Sequence, residues 1–117
     1  PNPGYPTYSS VSRLVGADPV SYTLEASRGW QPDFETLEKM DLSRVRLMWT
    51  NYPNMPTGGN ARRATYEHLV DFARRHGIVV VNDNPYSFIL NEGEAEPAAG
   101  ARCKGLLHRV QLHVEGL

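Results

Sequence analysis

Two short polar runs carry the residue types that could do chemistry in this chain. The first is Asn51-Tyr52-Pro53-Asn54-Met55-Pro56-Thr57-Gly58, and the second is Asn82-Asp83-Asn84-Pro85-Tyr86. Asp83 follows an apolar run, where a carboxylate is costly unless a cation or strong donors meet it. It therefore suits a cationic heteroatom of a ligand, or else it caps the turn that follows. Tyr86, three residues on, offers a phenol to an anionic oxygen, or packs at a sheet edge. Asn54 offers an amide. A third run, Pro3-Gly4-Tyr5-Pro6-Thr7-Tyr8, offers aromatic rings beside a turn, as a stacking surface or as simple surface aromatics.

The elements that must position these residues can be read from periodicity. Val45 to Thr50 and Ile78 to Val81 are short apolar runs of the kind found in strands covered on both faces. Between them Ala61 to His76 carries Tyr66, Leu69, Val70 and Ala73 at helical spacing, with Arg74, Arg75 and His76 at the negative end and Gly77 as cap. Strand, helix, strand in that order predicts a right-handed βαβ unit. In an open α/β sheet, ligands bind beyond the carboxyl ends of the strands, so both polar runs should open onto one crevice.

Upstream, Thr7 to Val15 predicts a short helix ended by Gly16, and Pro19 to Leu24 alternates like a half-buried strand. Glu25 to Gln31 predicts a loop, and Pro32 to Met40 a helix burying Phe34, Leu37 and Met40. His68 and His76 are expected on the solvated side of the long helix. Arg62 and Arg63 oppose its dipole and are expected to be solvated as well.

Composition narrows the class. The chain has 117 residues, with twelve basic and thirteen acidic side chains and a net charge of -1. That balance argues against a dedicated nucleic-acid surface or an anionic-membrane surface. Cys103 is the single cysteine, so no intrachain disulfide can form and a reducing, cytoplasmic compartment is expected. No apolar run reaches the roughly 18 residues that a membrane span needs. Cys103, His108 and His113 lack a fourth partner at zinc spacing, so no metal is expected. The chain starts at Pro1 without an initiator methionine and is expected to be a piece of something longer.

The three runs, in their order and separation, resemble the cofactor-binding core of the class I/II aminotransferases, which are fold-type I pyridoxal-phosphate enzymes. The resemblance extends from Pro3 to about Leu90. It implies an α/β fold: part of the large domain, a three-layer arrangement of parallel sheet and flanking helices over residues 1–92. It further implies that Asp83 pairs with the pyridine nitrogen, Tyr86 with the phenolic oxygen, and that Tyr5, favoured over Tyr8 by spacing, stacks on the ring. The family's asparagine at the phenolic oxygen aligns with Met55, which cannot supply that bond. Asn54, adjacent, could substitute through a loop shift. The implied reaction moves an amino group between an amino acid and a 2-oxo acid, in enzymes that work through a Schiff-base lysine.

That lysine is missing. Only Lys39 and Lys104 occur, and neither stands in a Ser-x-Ser-Lys setting. Residues 93–117 also break the pattern and are expected to be weakly structured. With synonymous codons chosen for residues 94–117, a one-nucleotide shift reads KPSLLPVQGARDCFIEFNSMSKG. That string holds an apolar run, CFIEF, and then NSMSKG, which resembles the family's lysine segment. The first base of each shifted codon is the middle base of the original, which synonymous choice rarely alters. A frame shift near Gly93 is therefore one origin for the tail. The alternative is a non-catalytic fragment that only folds or associates. A cut sheet leaves an open edge and an uncovered apolar face, so a homodimer or other self-association is expected.

Overall fold

The computed structural model describes residues 1–86 and the short strand 107–108. Helix α1 (Thr7–Leu14) leads into helix α2 (Phe34–Glu38), then strand β1 (Leu47–Asn51), helix α3 (Arg63–His76), strand β2 (Val79–Asp83) and strand β3 (Leu107–His108). The three strands form one parallel sheet in the order β1-β2-β3. In β1 and β2, Leu47 lies opposite Val79 and Asn51 opposite Asp83. The two strands therefore end together, and the polar residues beyond them emerge on one side.

The βαβ unit forms where the apolar pattern places it, with small shifts at the ends. β1 begins two residues later than its apolar run, and β2 extends through Asn82 to Asp83. α3 starts at Arg63 rather than Ala61. Gly77 closes it in the left-handed conformation, with its N–H on the Arg74 carbonyl. The expected stripe of Tyr66, Leu69, Val70 and Ala73 is buried, joined by Phe72, which is 1% exposed.

Successive strand residues face opposite sides. Met48 enters a core with Leu37, Tyr52, Tyr66, Leu69, Phe72 and Ile78, on the face covered by α3. Trp49 looks the other way and is stacked on Tyr8 of α1, at 5.0 Å between centroids and 13° between planes. Helices thus flank both faces of a parallel sheet, as the three-layer expectation required.

Three expectations need correction. Residues 19–24 do not form a sheet strand. Thr23 and Leu24 make only isolated bridges, to Asn2 and Pro32. The alternation holds only from Ser21 to Leu24, with Tyr22 half-buried and Leu24 buried, while Val20, expected on the same face, is exposed. It buries side chains, but no described strand lies alongside to complete a ladder. The expected loop 25–31 contains a single 3₁₀ turn, Ala26–Arg28. His76 is not merely solvated: its Nε2 lies 2.8 Å from Glu38, and Arg75 meets the same carboxylate at 2.6 Å, so α3 is clasped to α2. His68 is exposed, as expected, with its ring edge-on to Phe34.

Within the segment expected to be aberrant, β3 adds a third strand parallel to β2. The rest of that segment, with Lys104, Cys103 and His113, lies outside the described residues.

Candidate functional site

The ends of β1 and β2 bring the first two polar runs together. Asn51, the last residue of β1, is 2% exposed and uses both ends of its amide. Its Nδ2 donates to the Asp83 carbonyl at 3.0 Å, and its Oδ1 accepts the Met55 N–H at 2.7 Å. One layer deeper, the Thr50 hydroxyl donates to Asn82 Oδ1 at 3.0 Å. Thr50 and Asn82 are both buried, so each satisfies a group that would otherwise be stranded. Sequence reasoning did not single out Thr50, Asn51 or Asn82. The available signal was that polar residues end two otherwise apolar strands at matched positions.

Asp83 is half-buried, not fully buried. Its carboxylate accepts the Tyr8 hydroxyl at 2.7 Å, a short, charge-assisted bond. Burial, and then this bond, push the Tyr8 phenol well above the ordinary tyrosine range. The carboxylate thus already has a neutral donor on one side. It remains open enough to take a cation on another.

Of the two tyrosines of the aromatic turn, Tyr8 is the one that joins the carboxylate. Tyr5 is 44% exposed and meets Tyr8 edge-on, at 5.8 Å and 80°. Tyr5, Tyr8 and Trp49 therefore form a continuous aromatic wall leading to Asp83. Tyr86 is half-buried, and its hydroxyl donates to Met55 Sδ at 3.4 Å. A thioether is a weak acceptor, so the phenol holds a position while keeping its donor for a better partner.

Asn54 is differently placed. It is 3% exposed and is built into its own loop. Its N–H donates to the Gly59 carbonyl, its carbonyl accepts from Gly58 N–H, and its Oδ1 accepts from the Thr57 hydroxyl, each at 2.7 Å. Thr57 Oγ1 in turn accepts from Gly59 N–H, which fixes the direction of the relay. The amide nitrogen Nδ2 is left buried without a partner among the described residues. The structure thus groups Asp83 with Tyr8, Tyr8 with Tyr5, and Tyr86 with Met55, while Asn54 turns into the loop core.

Lys39, on the surface beside α2, makes an exposed ion pair with Glu35 at 3.0 Å. Among the described residues no cluster of His, Cys, Asp or Glu could hold a metal. No helix among them is long and apolar enough to cross a membrane.

A parallel sheet with helices on both faces is the arrangement of the fold-type I aminotransferases. Residues 1–115 match the family Aminotransferase class I and II, and the chain belongs to that family. It is 39% identical over 110 residues to the LL-diaminopimelate aminotransferase of Desulforudis audaxviator (strain MP104C), covering 91% of this chain and 28% of that protein. The Moorella thermoacetica enzyme of the same name is 36% identical over the same shares of each chain. Among solved structures, apo-BacF from Bacillus subtilis superposes with a TM-score of 0.82 at 34% identity, over 87% of this chain and 26% of that one. Alanine aminotransferase from Pyrococcus furiosus gives 0.79 at 31%, over 89% and 26%. The chain thus spans little more than a quarter of the proteins it matches.

Proposed function

We propose that this chain carries the ring-holding half of a pyridoxal-phosphate site, from an enzyme that moves an amino group between an amino acid and a 2-oxo acid. The observation that carries the reading is the half-open Asp83 carboxylate at the end of β2, with Tyr8 on one oxygen and Tyr86 three residues beyond. The donor set fits the group. An anion suits a protonated pyridine nitrogen, the weakly engaged Tyr86 hydroxyl suits a phenolic oxygen, and Tyr5 and Tyr8 offer ring faces. When bound, pyridoxal phosphate supplies an electron sink for bonds broken at the amino-acid α-carbon.

The chain's own residues would bind and orient. Asp83 would hold the ring nitrogen in its protonated state. Tyr8 would keep the carboxylate aimed, Tyr86 would hold a proton near the phenolic oxygen, and Tyr5 would cover the ring face. Asn54 could join them only if its loop opened, since its nitrogen is sealed. Lys39, tied to Glu35 on the surface, does not supply the covalent anchor. The 117 residues are therefore read as binding machinery with no turnover of their own. The single cysteine supports a cytoplasmic setting.

The expected test replaces the matching segment of the Desulforudis relative with residues 1–92 of this chain. The chimera should fold, retain the cofactor's absorbance and transaminate. Asp83→Asn within it should slow turnover by roughly a hundredfold or more, a few kcal/mol of lost charge stabilisation. A folded chimera that holds no cofactor would overturn the reading.

A further inference from the structure

Trp30 has the one positive φ among the described non-glycine residues, at 61°. It directly follows Gly29, which is also left-handed. An L-residue with a bulky side chain pays steric energy there and persists only where its surroundings over-determine it. Here they do. The Trp30 N–H donates to the Glu25 carbonyl at 2.9 Å, and its carbonyl accepts the Tyr52 hydroxyl at 2.8 Å. The next residue continues the lacing. Gln31 Nε2 donates to the Asn60 carbonyl at 2.8 Å, while its Oε1 accepts the Thr65 hydroxyl.

The strained backbone delivers the indole against Gly59. A methyl group built on Gly59 would come within 2.8 Å of Trp30 Cβ and 2.9 Å of Cδ1. Gly59 is the residue whose carbonyl accepts the Asn54 N–H, and whose own N–H anchors the Thr57 hydroxyl. The indole therefore presses on the closing turn of the loop that carries Asn54 and Met55.

We infer that Trp30 is a positioning residue: its left-handed backbone and its indole, seated on Gly59, hold the 51–59 loop in the shape that presents Met55 to Tyr86 and seals Asn54. The bearing on a bound cofactor rests on the reading above, but the order of the loop does not.

The test is site-resolved amide exchange on the full chain. Trp30→Gly should speed exchange at Asn54, Gly58 and Gly59 by about tenfold or more, while the Leu69 to Ala73 amides of α3 keep the unsubstituted rate. Trp30→Phe, which keeps a ring on Gly59, should retain the loop protection. Gly59→Ala drives its methyl into Trp30 from the other side and should also loosen the loop. Combined with Trp30→Gly it should add nothing further. Loop amides that stay protected in Trp30→Gly, or that speed up only in step with α3, would overturn the inference, as would a double variant much looser than Trp30→Gly. Loss of loop protection in a chain that holds no pyridoxal phosphate would support this inference and count against the cofactor reading.

Discussion

At the scale of single residues, the site turns on Tyr8 and Asp83. Tyr8→Phe keeps the ring on Trp49 and removes only the hydroxyl from the carboxylate. Because Asp83 is half-exposed, the cost to stability should sit near the low end for a charge-assisted bond, about 1–2 kcal/mol by denaturant melting. The phenols also set an alkaline limit. Burial raises Tyr8, Tyr22 and Tyr52 well above the ordinary range, with the Asp83 bond adding to Tyr8, and pushes Tyr66 up to about 12. Unfolded tyrosines ionise near 10.0, so above that pH the unfolded state binds fewer protons than the native one. The contribution is fully present below about pH 10 and is lost as pH rises through the raised native values. Melting temperature should accordingly fall from about pH 10 upward, together with a delayed, cooperative rise in phenolate absorbance. Phenolate that appears gradually around pH 10, with no change in melting, would contradict the packing of these rings.

At the scale of elements, the ends of α3 make two opposite predictions. Gly77 sits at φ 64 with nothing within 4 Å of an added Cβ, so Gly77→Ala should cost only the backbone term, about 1 kcal/mol. At the other end Arg62 holds the N-cap position, in extended conformation and without a side-chain cap. Arg62→Asp should therefore stabilise by about 1 kcal/mol, by capping and by matching the dipole. Thermal melts of the two variants check both signs. These ends show what the sequence makes legible. The glycine stop, the apolar stripe of α3 and the two β-branched or apolar strand runs are local signals, and each forms where it is expected. Residues 19–24 are not settled locally, because alternation makes a strand only when a neighbour pairs with it. The site shows the same division. Asp83, Tyr86 and the aromatic turn stand out by type and spacing. The Tyr8–Asp83 contact, and the inward turn of Asn54, depend on packing against Trp49 and on the Thr57 relay, which no local pattern encodes.

At the scale of the whole molecule, the question is what covers the surfaces the fold leaves bare. Val11, Leu14 and Val15 lie one turn apart at the end of α1 and are 44%, 85% and 75% exposed. Leu47 and Val79, paired across β1 and β2, are exposed too. Such a surface favours association. Sedimentation should therefore show dimers or larger species that dissociate on dilution, and Leu14→Lys should weaken them. A chain that sediments as a monomer at all concentrations would contradict this. The tail belongs to the same scale. β3 at Leu107–His108 pairs with β2, at the place where a shifted frame would read CFIEF. Sequencing the coding DNA past Leu117 decides between the two: a shifted frame running on through Ser-Lys supports a disabled enzyme, and an intact frame ending there supports a genuine tail. The central proposal is that these 117 residues would hold a cofactor ring but carry no lysine placed to turn it over. Its most direct test is to incubate the chain with pyridoxal phosphate and an amino donor, reduce with borohydride, and locate any label by mass spectrometry. The expected result is no stoichiometric single-site adduct and no amino transfer. A stoichiometric adduct on Lys39 or Lys104, with transamination before reduction, would contradict it.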